Sequence, residues 1–157
     1  MSDPGDRAWL LELETRSRRH GSGITGQQLT GHWRLVDLWS REARPQPAPA
    51  RLLQALQASL EIQPPGREEG GKGAGLELRN SVRLGALELA FAGPGWLEGR
   101  RPLLRFHFAG MQLKLGGWQL WQRSLPAADQ GGEPFFALIG AGRDDQGRWL
   151  LARGRCP

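Results

Sequence analysis

The sequence predicts a mainly β, antiparallel barrel preceded by a helical cap, and three observations predict it. From residue 76 onward apolar side chains recur at every second position, the period of a half-buried strand. Glycine-rich turn signals separate these runs, as they do between successive hairpin strands. Helical spacing is confined to the first 60 residues. A meander of about seven or eight strands tends to close on itself, because closure removes its exposed edges. An open sheet packed against the N-terminal helices is the structural alternative.

Taken in order, RAWLLELETRSRR at 7–19 reads as a helix with Trp9, Leu10 and Leu13 on one face. Asp3 or Asp6 suits its start and Gly21 and Gly23 its stop, so 1–22 forms a cap over one end of the domain. LTGHWRLVDLW, 29–39, reads as a strand with Trp33, Leu35 and Trp39 on one face and Val36 and Leu38 on the other. The three prolines of 43–50 predict an extended connector. Leu52, Leu53, Leu56 and Leu60 then fall at helical spacing, a second short helix near 51–60, and the Gly, Pro and charge of 64–75 predict a mobile loop.

In the strand region Leu76, Leu78, Val82 and Leu84 form one row, in which Asn80 is either a bulge or a polar group facing inward. Parity flips at Gly85 into Leu87, Leu89 and Phe91, and Gly93-Pro94-Gly95 reads as a turn. Leu104, Phe106 and Phe108 alternate with Arg105 and His107, and Met111, Leu113 and Leu115 follow. Gly116-Gly117 is a two-residue hairpin turn into 118–125. After the polar loop AADQGGE come strands at 135–141 and 148–154. The chain, 1–157, thus reads as one domain whose barrel occupies 28–155.

Composition narrows the function classes. With 39% hydrophobic and 24% charged residues the 157-residue chain is an ordinary globular mix. No apolar run approaches the roughly 18 residues of a membrane span, and the N-terminus lacks the order of a secretory signal. A cytoplasmic or peripherally membrane-associated protein, not a secreted one, is expected. The lone Cys156 has no partner thiol, and His20, His32 and His107 match no metal-ligand spacing. The +5 charge, nearly all arginine apart from Lys72 and Lys114, supports only weak attraction to polyanions.

Catalytic signatures are missing: none of the serines sits in G-x-S-x-G, and there is no H-E-x-x-H or Walker sequence. G-x-G-x-x-G occurs at Gly21, Gly23 and Gly26, but after a helix and before a strand, the reverse of a dinucleotide turn. Asp144-Asp145 reads as a turn cap. Binding rather than catalysis is expected, with no catalytic residue, metal or cofactor. Seven tryptophans on a basic chain raise single-stranded nucleic acid as a partner, because bases stack on aromatic rings. Such binders interleave aromatics with Lys and Arg, whereas these share rows with Leu, Met and Val, which suits core filling or pocket lining better. Single-stranded nucleic-acid binding therefore stands as the alternative function, beside an interaction or scaffold protein with a filled core. If the phenylalanines fill the core, Arg105 and His107 face outward; in a ligand-holding barrel Arg105 turns inward to an anionic head group.

Gly31-His32-Trp33 resembles the lipocalin-type G-x-W at the start of the first barrel strand, whose Trp closes one end. In that superfamily a late-strand arginine lies across the ring, and Arg153 is the matching position. The order of parts is similar to the plastid lipid-associated (PAP/fibrillin) family: LLELET in a first helix, LTGHWRL in the first strand, Asn80-Ser81-Val82 opening the meander, and DDQGRWLLARG ending it. The chain departs from the pattern in having no tyrosine and in stopping at Arg155-Cys156-Pro157, short of a glycine-rich final strand. The resemblance implies a lipocalin-like (calycin) barrel, incompletely closed, that binds a lipid, quinone or carotenoid at or near thylakoid-type membranes, with peripheral membrane contact. The expected pocket is lined by Trp33, Leu35, Phe91, Phe106, Phe108, Leu113 and Trp121, with Arg105 for a head group.

Overall fold

The computed structural model describes residues 6–40, 42–64, 75–126 and 134–155; Asp3, Cys156, the AADQGGE loop and nearly all of the 64–75 loop lie outside the described residues. Helix α1 (Arg7–His20) begins at Asp6, whose side chain makes no capping bond, and ends as expected at Gly21, φ +80°, whose N–H donates to Ser17 O. A one-turn helix α2 (Gly26–Leu29) follows, closed by a capping box in which the Thr25 side chain accepts from Gln28 N–H and the Gln28 side chain accepts from Thr25 N–H. Strand β1 is only Gly31–Arg34, shorter than the 29–39 expected, and the chain beyond it makes an isolated bridge from Trp39 to Pro45.

The expected extended connector is partly helical: α3 runs Pro47–Ala55, with proline in its first turn. A proline there forfeits only an N–H that has no acceptor in any helix, and its fixed φ suits the start. Gln57, at φ +47°, turns the chain out of the helix, so Leu60 belongs not to α3 but to β2 (Ser59–Gln63). The remaining strands are β3 (Gly75–Leu84), β4 (Leu87–Glu98), β5 (Leu103–Phe106), β6 (Gly110–Leu115), β7 (Trp118–Ser124), β8 (Phe135–Asp144) and β9 (Gly147–Arg155).

All ladders are antiparallel, and the main path runs β1-β2-β3-β4-β5-β8-β9, with β6 paired to β4 and β7 to β6. The result is a nearly closed barrel with one unsealed seam. Gly93-Pro94-Gly95 is not the expected turn but lies inside β4, where that strand's partner changes from β6 to β5. Glycine is required there for space. A Cβ on Gly93 would stand 1.9 Å from His107 O, and one on Gly95 would stand 2.4 Å from Leu78 Cδ1. Asn80 is exposed within an unbroken β3–β4 register, so no bulge occurs at it.

The core fills one end of the barrel. Ile24, Leu29, Ile62, Leu76, Leu78, Leu104, Phe106 and Leu138 form one buried cluster, with Trp33, Leu60, Leu97, Phe108, Phe136 and Leu150 packed against it. Helix α1 covers the outer face of β8 and β9 rather than an end of the barrel. Trp9 meets Trp149 edge-on at 5.1 Å, and buried Glu14 pairs with Arg153 at 2.9 Å and Arg18 at 2.8 Å. Ser17 donates to Leu138 O. Those bonds satisfy the polar groups that the helix buries, as burial demands. Among the described residues, no helix is long and apolar enough to cross a membrane.

Candidate functional site

Two hairpins build the most distinctive surface of the molecule. Gly85-Ala86 joins β3 to β4, and Gly116-Gly117, at φ +56° and +87°, joins β6 to β7 in the backbone conformation a two-residue hairpin prefers. Pairing of β4 with β6 sets the hairpins side by side. Residues directly opposed across antiparallel strands share a face, so the register aligns three rows. Asn80, Phe91, Met111 and Arg123 form the first; Val82, Leu89, Leu113 and Trp121 the second; Leu84, Leu87, Leu115 and Trp118 the third, at the hairpin tips.

Phe91 fixes which face this is. Its ring lies 5.5 Å from Phe108, which lies 5.2 Å from Phe106 in the core, and Phe106 stacks on Phe136 at 5.2 Å. The rows are therefore the continuation of the barrel's inner face. Toward the tips the cover is lost: Trp121 is 43% exposed, Leu84 65% and Trp118 80%. The surface is an apolar trough leading from solvent down to a phenylalanine ladder.

A β-bulge makes the trough possible. Trp118 and Trp121 are three residues apart, which in a regular strand places them on opposite faces. The β6–β7 register shifts so that Leu113 faces Trp121 while Lys114 faces Gln119, leaving Leu120 as the extra residue. Both indoles consequently point into the same trough. Sequence periodicity finds Trp121 and misses Trp118 for this reason. It also misses Val82, Leu84, Leu87, Leu89, Met111 and Leu115 as site residues, though their alternation was visible, because nothing in the chain says which end of the barrel stays open.

The outer face of the same hairpins is charged. Arg79 donates to Glu88 at 2.6 Å and Arg83 binds the other carboxylate oxygen. The Arg83 hydrogen bond, aided by Arg79, holds the Glu88 carboxyl below its ordinary range against the opposing effect of burial. Open depressions lie on the described surface of these strands. One of about 400 Å3 lies against Arg83, Glu88 and Lys114, and one of about 150 Å3 against Glu61, Glu77 and Arg79; neither belongs to the trough.

No family model, curated protein or solved structure matches this chain.

Of the residues expected to line a pocket, Phe91, Leu113 and Trp121 lie in the trough and Phe108 links it to the core. Phe106 is 5% exposed and part of the filled core. Trp33 packs on that core and shares a row with Leu60 and Asn80, its indole N–H donating to Leu29 O at 2.7 Å. Leu35 has already left β1. Arg105 is corrected: alternation with Leu104 and Phe106 turns it to the outer face, where it binds Glu98 and lies 5.8 Å over the Phe135 ring. A cation on the inner face exists instead at Arg123, one row below Trp121.

The barrel-end pair is corrected too. The guanidinium over Trp33 belongs to Arg148, at 4.8 Å, and not to Arg153. Strand parity is the reason. Arg148 shares the inner face of β9 with Leu150, which packs on the core, whereas Arg153 shares the outer face with Trp149 and reaches Glu14 on α1. Arg148 also donates to Thr30 O at 3.3 Å and to Gln28 O. Among the described residues β9 and β1 share no ladder, so Arg148 crosses the seam with side-chain bonds alone. Replacing it with Met is expected to destabilise the fold by about 2 kcal/mol, from one cation–π contact and its charged hydrogen bonds. Thermal denaturation of the variant checks this, and an unchanged midpoint shows that the seam is held by something else.

Proposed function

We propose that this protein binds a hydrophobic small molecule, of the lipid, quinone or carotenoid class, along the inner face of its two paired hairpins. The observation that carries the reading is the row Val82, Leu89, Leu113 and Trp121, half-open to solvent and continuous through Phe91 and Phe108 with the core. A folded chain gains nothing by leaving such a surface wet. Covering roughly 300 Å2 of apolar surface gives about 7 kcal/mol of gross stabilisation, and lost ligand freedom takes several back. Elongated ligands that cover a whole row are therefore favoured over compact ones. Arg123 and Asn80, at the edges of the next row, supply polar contacts for a head group or ring carbonyl.

The filled core favours the barrel's open end over its centre as the proposed binding place, which keeps the ligand reading distinct from a merely packed scaffold. The nucleic-acid reading is weaker because the trough's tryptophans have leucine and valine as row-mates. Arg123 is a cation on their face, one row from Trp121, but Arg79 and Arg83 lie on the other face and are engaged with Glu88. Membership of the PAP/fibrillin family, and with it a place near photosynthetic membranes, is part of the same proposal and rests on the short motifs in this chain.

Intrinsic tryptophan fluorescence tests the proposal. Adding a long-chain fatty acid, a prenylated quinone or a carotenoid is expected to quench or blue-shift the emission, and Trp121→Phe to remove most of the change. A flat response across the whole panel contradicts ligand binding. A response to single-stranded oligonucleotide that collapses with modest salt transfers the assignment to nucleic acid.

A further inference from the structure

Among the described residues, β1, β9 and β7 each have a ladder on one side only. The first two flank the seam, where Arg148 of β9 reaches across to Gln28 O and Thr30 O. The edge of β7 is different: all seven of its residues are exposed. Proteins guard such edges with lysine, proline or a bulge, because unpaired backbone groups recruit another strand. WQLWQRS has no lysine and no proline, and its one charge is Arg123. Trp118, Leu120 and Trp121 are 80%, 56% and 43% exposed along it. The bulge at Leu120 opposes a regular partner strand, but not one bulged at the same place. A second copy of β7 is such a strand.

From this edge we infer that two copies of the chain pair β7 to β7, antiparallel, about a two-fold axis between Leu120 and Trp121. In that register Trp118 faces Arg123 of the second copy, Gln119 faces Gln122, and Leu120 faces Trp121. Both bulges fall at the centre of the joint. Sidedness agrees, because the β6 ladder puts Trp118 and Arg123 on the inner face, opposite Leu115 and Met111. It puts Gln119 and Gln122 on the outer face, opposite Lys114 and Gln112. Slipping by one residue sets inner side chains against outer ones. Charge agrees as well: Arg123 meets an exposed indole, an attractive cation–π pairing, rather than another Arg123. The inner rows then join, Asn80, Phe91, Met111 and Arg123 of one copy continuing into Trp118, Leu115, Leu87 and Leu84 of the other. At roughly 4.8 Å between strands, a row grows from about 14 Å to about 34 Å. An elongated ligand along it touches both copies; this consequence alone rests on the ligand reading.

Sedimentation velocity of the full chain without ligand tests the joint. Interfaces this small are transient, so the sedimentation coefficient is expected to rise from monomer to dimer between about 1 and 200 µM. Trp118→Lys sets like charges opposite each other at both ends of the joint, and is expected to weaken dimerisation by about tenfold or more. Adding Arg123→Glu turns both clashes into ion pairs and is expected to recover most of the loss. Circular dichroism is expected to be unchanged in both variants. Hydrogen exchange locates the joint: amides in Gln119–Arg123 are expected to slow as concentration rises, while those of β1 and β9 do not. A monomer at every concentration, or a dimer that Trp118→Lys leaves intact, overturns the pairing. Exchange in β7 that is independent of concentration does the same, and a loss that Arg123→Glu fails to recover overturns this register. Fatty-acid titration separates the two readings. A monomer that still responds removes only the pairing, and a dimer without response removes only the ligand.

Discussion

Gly93→Ala is expected to destabilise the protein by about 3 kcal/mol, the upper end of what overpacking usually does. The added Cβ would lie 1.9 Å from His107 O and 2.8 Å from Ala109 N, both backbone atoms that no rotamer change can move aside. To relieve the clash the 107–109 segment must separate from β4, and the bonds from His107 N to Pro94 O and from Ala109 N to Ala92 O go with it. Gly85→Ala serves as the contrast. That glycine has φ +59° but open space around it, so only the left-handed backbone penalty of about 1 kcal/mol applies. Urea denaturation of the two variants is expected to place Gly93→Ala well below Gly85→Ala. The reverse order means that β4 does not cross at Gly93 as described.

Leu113→Asp is expected to weaken ligand binding by about 100-fold. The site is half-buried between Leu89 and Trp121, so a carboxylate there loses apolar contact and must be desolvated when a ligand lies over it, a loss of about 3 kcal/mol. Without ligand the carboxylate stays hydrated on an open surface, and stability falls by about 1 kcal/mol, an ordinary single-substitution effect. Titration and thermal melting of the same preparation check both halves. Full binding by this variant places the ligand elsewhere.

Much of the barrel is legible in the chain because its signals are local. Helix α1 and its Gly21 stop, the alternation of β3 and β4, and the Gly116-Gly117 hairpin all appear where their residues predict them. What the sequence conceals depends on two signals coinciding or on contacts far along the chain. Leu56 and Leu60 satisfy helical spacing as well as Leu60 and Ile62 satisfy a strand, and only the left-handed Gln57 separates them. Gly93-Pro94-Gly95 has turn composition, yet its glycines answer to Leu78, His107 and Phe106, which no local rule anticipates.

The candidate site was legible in its residue types and not in their facing. Phe91, Leu113 and Trp121 are trough residues on the strength of alternation alone. Trp118 needed the bulge to join them. Arg148 and Arg153 both lie on β9 and both suit a tryptophan partner by chemistry; the odd spacing between them decides which one points inward. Arg105 likewise follows the parity of Phe106, and once the phenylalanines fill the core it has only the outer face to occupy.

Methyl resonances of leucine and valine offer the most direct view of where a hydrophobic molecule sits. With a long-chain fatty acid added to the labelled protein, shifts are predicted at Val82, Leu89 and Leu113, while the closed-end Leu29, Leu76 and Leu104 stay in place. Shifts confined to the closed end, or none at saturating ligand, contradict the trough as a binding surface.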